Sequence, residues 1–322
     1  MSDRAADPDV PRAVVILGAG TMGGGMAVAF ARAGSRVSVF SRRTTTLELA
    51  RRRMGESLAL LDEAGLLHGV APEDVLGRVS DHDDLQSIDF AADLIVESIV
   101  EDMERKKDLL GLVEDLAPVT AIIASNTSSL SLRDLADGLR RPDRFAGFHW
   151  FNPPELVELV EVVATPATEG SVVRELVRWS RAIGKRPVAL SRDIEGFVAN
   201  RLQYALIREA YALVEGGVCT PEDVDEVVKA GLGPRWAAVG PFETMDLAGL
   251  DVHGAVARGL FPTLSVATRP PKMLETLLDQ GALGAKSGLG LRGRYDRRTI
   301  ADLARRRTRI LTALSGLRAD EP

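Results

Sequence analysis

In the first half of the chain, short apolar runs alternate with longer stretches of helical period. The run AVVIL at Ala13–Leu17 is apolar at every position, as in a strand buried on both faces of a parallel sheet. RVSVF (Arg36–Phe40), LIVES (94–98), AIIAS (121–125), FAGF (145–148) and RPVAL (Arg186–Leu190) predict further strands. Residues 21–33 predict a helix stopped by Gly34. Residues 45–65 predict another, with Leu47, Met54, Leu58 and Leu61 near helical spacing. From residue 194 the strand signals stop. Helical stretches follow at 196–215, 221–231, 241–260, 270–281 and 299–317, separated by Gly and Pro. The pattern predicts a flexible start over 1–11, an α/β domain with a mostly parallel sheet over 12–193, and an all-helical domain over 194–322.

The first strand runs into Gly18-Ala19-Gly20-Thr21-Met22-Gly23, then a helix, then the second strand. GxGxxG in a strand–turn–helix–strand unit is a dinucleotide-binding signature. Gly18 permits the tight turn, Gly20 lets a pyrophosphate approach the backbone, and Gly23 lets helix and strand pack closely. Thr21 and Met22 lie in the same turn, at a helix start whose free N–H groups face the phosphates. NAD-specific sites usually carry Asp or Glu about 20 residues beyond the glycines, on the ribose 2′-hydroxyl. Here that place holds Ser41, followed by Arg42 and Arg43. No carboxylate repels a 2′-phosphate and two guanidiniums can bind one, so NADP(H) is the expected cofactor. NAD(H) stays open, with Ser41 on the ribose.

The stretch FAGFHWFNPPELVELVE at 145–161 places His149 at a strand end, ahead of an Asn-Pro-Pro turn and a second apolar run carrying Glu158 and Glu161. A histidine held by a sheet and met by a returning carboxylate is the arrangement of an oriented general base. A packed core histidine is the plainer alternative. The loop Asn126-Thr127-Ser128-Ser129 brings hydroxyls and an amide to the carboxyl edge of the sheet, where Glu101 and Lys106 also fall. Helix capping by Ser129 or Ser131 is the other use for these side chains.

A net charge of −6 argues against nucleic acid as the main partner, and the single cysteine, Cys219, rules out an internal disulfide framework and reads as a small buried hydrophobe. The polar start carries no signal-peptide core, and no apolar run reaches membrane-spanning length, so a cytoplasmic protein with no membrane partner is expected. No metal site is expected. The basic runs at 51–53 and 305–309 read as solvated helix faces.

Taken in order, the motifs at 18–23, SNTSSL (125–130), 148–161, GFVANRL (196–202), GPFETMDLAGLD (240–251) and LGAKSGLG (283–290) resemble the 3-hydroxyacyl-CoA dehydrogenases over nearly the whole chain. The resemblance implies a Rossmann-type domain, a helical domain that dimerises, and an active site in the cleft between them. It implies that His149 is the catalytic histidine, Glu161 its partner, and Ser128 and Asn200 the holders of the reacting substrate oxygen. Asn152 is a further match on the substrate side. Glu101 and Lys106, with Asn126 in the serine loop, are expected at the cofactor. In such a reaction the histidine takes the hydroxyl proton while hydride leaves the same carbon for the nicotinamide.

Departures from the family pattern bear on the substrate. LLDEAGLL (60–67), the Asn-Pro-Pro-Glu turn, 198–217 and 231–247 look closer to the L-gulonate 3-dehydrogenase and lambda-crystallin branch, or to carnitine dehydrogenase. That branch acts on free 3-hydroxy acids. No lysine precedes Lys106 to grip a CoA nucleotide, although the arginines at 51–53 could substitute. Leu289-Gly290-Leu291-Arg292 stands where the family usually shows an aromatic pair. Arg235, beside Trp236, could pair with a free carboxylate. An acyl thioester on CoA is the leading expectation. A free 3-hydroxy acid, a carrier-protein thioester and a non-catalytic cofactor-binding sensor or structural protein are the alternatives.

Overall fold

The computed structural model of the chain describes residues 9–67 and 69–318. They form two compact units: the chain up to Phe197 together with its end from Leu311, and Val198–Ile310. The first unit runs β1 (Ala13–Leu17), α1 (Thr21–Arg32), β2 (Arg36–Phe40), α2 (Thr44–Glu63), α3 (Pro72–Gly77), β3 (Val79–His82), β4 (Leu94–Glu97), α4 (Met103–Leu116), β5 (Ile122–Ser125), α5 (Leu132–Ala136), β6 (Phe145–Trp150), β7 (Leu159–Val163), α6 (Gly170–Ala182) and β8 (Arg186–Leu190).

These strands make one sheet in the order β3-β2-β1-β4-β5-β6-β7-β8, parallel at every pairing except β6 with β7. The period of two in the apolar runs sorts them onto both faces. Val14 and Ile16 pack with α1, α2 and α6; Val15 and Leu17 pack with α4 and α5. The order reverses beside β1, whose neighbours are β2 and β4, and a ligand crevice forms at the carboxyl ends of strands at such a point.

Two expectations change in this unit. Residues 9–11 are not a loose tail: Val10 is buried, and Pro11 O accepts from Ser35 Oγ at 2.6 Å. The rest of the expected flexible start, 1–8, lies outside the described residues. Strand β6 continues to Trp150 because β7 pairs with it that far, so His149 sits within a strand rather than at its end. Elements β3, α3 and α6 went unassigned in the sequence.

The second unit contains α7 (Ala199–Glu215), α8 (Pro221–Val227), α9 (Gly233–Ala238), α10 (Pro241–Ala248), α11 (Leu250–Leu260) and α12 (Lys272–Asp279), with a π turn over Val228–Leu232 between α8 and α9. It is not wholly helical. β9 (Leu289–Gly290) and β10 (Gly293–Arg294) pair as a small antiparallel ribbon, at the place where the family's aromatic pair is missing. The last helix, α13 (Arg297–Arg318), starts in this unit. Cys219 is only partly buried. Among the described residues no helix is long and apolar enough to cross a membrane.

Candidate active site

The glycine turn has the shape a dinucleotide needs. Gly18 stands at φ +124°, and a Cβ there would lie 2.3 Å from Ser98 O, so β1 and β4 meet with no room for a side chain. A Cβ on Gly23 would lie 1.8 Å from Gly18 O, which fixes the approach of α1 to the turn. A Cβ on Gly20 would meet nothing within 4 Å, so this side of the turn is open. Gly20 is also the N-cap of α1 and supplies no side-chain cap, which leaves first-turn N–H groups free for phosphate oxygens. These residues fit a nicotinamide dinucleotide. Thr21 is exposed and Met22 half-buried in the first turn.

At the end of β2, Ser41 N donates to His82 O at 3.0 Å. Ser41 Oγ accepts from Arg43 N at 3.4 Å, and the Arg42 and Arg43 side chains are exposed. Arg51 is different. Its guanidinium is spent on Asp81 Oδ2 (3.0 Å), Leu76 O (3.0 Å) and Val79 O (2.9 Å). It therefore braces β3 against α2 and is not a free phosphate anchor.

The serine loop is built around Glu101. One oxygen, Oε1, accepts from Thr127 Oγ1 (2.6 Å), Ser128 N (3.0 Å), Ser129 N (3.1 Å) and Ser129 Oγ (3.0 Å). The other, Oε2, lies 3.3 Å from Lys106 Nζ. Partial burial pushes the Glu101 carboxyl up, but the Thr127 hydroxyl, the Lys106 charge and the Ser128 and Ser129 donors outweigh it and hold the pKa at about 2. Lys106 is itself buried, with Nζ 2.6 Å from Glu97 Oε1. Expected at the cofactor, it is enclosed by the carboxylates of Glu97 and Glu101. Glu97 was missed. It ends an otherwise apolar strand, nine residues before the lysine, and also accepts from Ser125 Oγ at 2.5 Å. A carboxylate closing a fully buried strand was the signal.

Asn126 ties this loop to the next strand: its Oδ1 accepts from Trp150 N at 2.8 Å, one residue past His149. On β6 and β7, His149 and Glu161 are directly opposed. The connection between the two strands runs over 151–158, and His149 Nδ1 meets Glu161 Oε2 at 2.8 Å with both side chains nearly buried. Glu161 thereby holds the tautomer with the proton on Nδ1 and leaves Nε2 to exchange a proton with a substrate. The rings of Phe151 and Phe197 lie 4.4 Å and 5.3 Å from the imidazole. Asn152 is exposed in the turn after β6, and Ser128 is half-buried. Asn200 and Arg235 belong to the second unit, on α7 and α9.

Comparison with known proteins decides the family. The profile of the 3-hydroxyacyl-CoA dehydrogenase NAD binding domain matches residues 13–194, and that of the C-terminal domain matches 196–293. The chain belongs to the 3-hydroxyacyl-CoA dehydrogenase family. It is a nicotinamide-dependent oxidoreductase acting on CH–OH groups, with a Rossmann-type domain followed by a helical one. One relative, 5-formyl-3-hydroxy-2-methylpyridine 4-carboxylate 5-dehydrogenase of Mesorhizobium japonicum, is 35% identical over 87% of this chain and 90% of its own. A crystal structure of an enzyme of that name, described as an NAD+-dependent dismutase, superposes with a TM-score of 0.89 at 34% identity, covering 97% of this chain and 99% of the other. The (S)-3-hydroxybutyryl-CoA dehydrogenase PaaH1 of Ralstonia eutropha superposes at 0.71 with 31% identity, covering 89% and 100%.

Proposed function

We propose that the protein interconverts a 3-hydroxyacyl thioester and its 3-oxo form, with His149 as general acid–base. The observation that carries this reading is the Nδ1–Oε2 contact of 2.8 Å across β6 and β7, which gives the imidazole a fixed tautomer and a buried counter-charge. In the oxidative direction His149 Nε2 takes the hydroxyl proton, and Glu161 stabilises the imidazolium that forms. In the reductive direction the imidazolium returns the proton to the carbonyl oxygen. When bound, the nicotinamide cofactor supplies the hydride acceptor or donor. Ser128 and Asn200 donate to the substrate oxygen as charge develops there. Glu101 Oε1 accepts from the Ser128 N–H at 3.0 Å and, at 3.5 Å, from its hydroxyl; that long hydroxyl contact is the one a substrate oxygen would replace.

The cofactor is NADP(H) in this proposal. Ser41 takes the position of the usual ribose-binding carboxylate, and the exposed Arg42 and Arg43 supply positive charge for a 2′-phosphate. A second substrate reading, a free carboxylic acid, has one observation behind it: the pyridine-carboxylate enzyme superposes over more of the chain than the 3-hydroxybutyryl-CoA enzyme. Arg235 is the proposed partner of such a carboxylate. The protein works as a homodimer in the cytoplasm: the second unit leaves its apolar helices uncovered, and the chain has a single cysteine.

The test is a substrate panel followed at the reduced-nicotinamide absorbance band. It sets acetoacetyl-CoA against a free 3-oxo acid and the pyridine hydroxyaldehyde carboxylate, each with NADPH and with NADH. Turnover of the thioester with NADPH preferred supports the main reading. Turnover confined to the free acids transfers it to the second, and silence across the panel sinks both.

A further inference from the structure

The segment leaving the last strand of the sheet is held in an unusual shape. Asp193 Oδ2 accepts from Leu132 N (2.8 Å) and Arg133 N (3.3 Å), fixing it on the start of α5, just past the serine loop. Gly196 then stands at φ +74° and Phe197 at φ +49°. Among the described residues Phe197 is the only non-glycine with positive φ. Bulky side chains enter the left-handed region least readily, so surroundings that over-determine it must hold it there. Phe197 N donates to Ile194 O at 2.9 Å, and the ring is 1% exposed. That ring lies 5.3 Å from the imidazole of His149, tilted by 57°. The residue is also the last of the first unit.

The ring also joins the core formed with Leu132 and Phe145, and an extended or right-handed residue at 197 would aim its Cβ elsewhere. With Glu161 pinning Nδ1 and Phe151 lying 4.4 Å from the imidazole, the Phe197 ring adds a second aromatic wall. Resting on the proposed role of His149, we propose that Phe197 is a positioning residue: its left-handed backbone turns the ring onto the imidazole, fixing the orientation of Nε2 and keeping water off the His149–Glu161 pair.

The test compares Phe197→Leu, Phe197→Ala and Phe197→Tyr in the full chain, with His149→Ala as control. Leu keeps apolar burial without a flat ring, Ala opens the wall, and Tyr keeps the ring. In the Leu and Ala variants kcat should fall about 10- to 100-fold, the size of a misplaced catalytic group, with KM for the cofactor unchanged. The His149 ring signals of the cofactor-free protein, assigned by their loss in His149→Ala, should shift or broaden at fixed pH as the imidazole loses its aromatic wall. Phe197→Tyr should restore both readouts. If Phe197→Ala does not fold, the Leu and Tyr variants still decide. A folded Phe197→Leu protein with wild-type kcat and unmoved His149 ring signals overturns the inference, as does a loss of thermal stability alone. Retained turnover in His149→Ala instead removes the reading beneath it.

Discussion

Phe148 and Phe242 carry the same side chain in the two units and meet opposite fates. Phe148 is fully buried, edge-on to Trp150 in the core of the sheet, whereas Phe242 on α10 is 79% exposed. The contrast is general. The first unit closes a core on each face of its sheet. In the second, Ala282 is the only buried apolar residue among those described, while Leu247, Val218 and Phe261 stand largely in the open. A polypeptide of that size cannot offset its ordering entropy with so little burial. The first unit is specified from within; the proposed dimer would supply the surface that covers the second.

The largest effect should come from denying that surface. The protein should sediment as a dimer, and Phe242→Arg with Leu247→Arg should give a monomer that has lost helical signal in far-ultraviolet circular dichroism. A wild-type monomer with full helical content would erase the contrast. Next in size is Gly23→Ala in the self-contained unit. Its Cβ would press 1.8 Å from a backbone oxygen that cannot yield. We expect a loss of about 3 kcal/mol in urea unfolding, together with loss of cofactor binding.

A smaller effect belongs to Lys185, the residue before β8. It is buried, donates to Pro154 O (2.6 Å) and Val157 O (2.8 Å), and lies over the Trp150 ring. Burial, helped by the Arg32 charge and opposed by Glu155 and Glu158, lowers its pKa from 10.5 to about 7. Between those values the unfolded chain binds the extra proton, so stability should rise with pH from about 7 to 10.5. Lys185→Met should flatten that rise, measured by urea unfolding across the range. An equal slope in the variant would assign the effect elsewhere. Smallest is Arg42→Ala with Arg43→Ala, which should raise KM for NADPH about tenfold and leave NADH nearly unchanged.

Much of the first unit was legible because its strands are continuous apolar runs and its turn chemistry is specific. The His149–Glu161 pair was legible only in part: the run after His149 offers two carboxylates, Glu158 and Glu161, and the family resemblance, not the spacing, singles out Glu161. The edge strand β3 was not, since VSDH buries only Val79 and carries no period. The linkage of Glu97, Lys106 and Glu101 was hidden because it joins a strand end to a helix that only folding brings beneath it. The left-handed Phe197 leaves no mark beyond the glycine before it. The second unit could be read as helices but not as a core, because within this chain its apolar side chains find almost no burial.

The central claim is that His149, oriented by Glu161, moves the proton. It is tested by the turnover of His149→Ala with acetoacetyl-CoA and reduced cofactor, beside a separate measurement of cofactor binding. The account predicts a fall in kcat of roughly 10²–10⁴-fold with the cofactor Kd unchanged. A variant that binds cofactor normally and keeps wild-type turnover would contradict it.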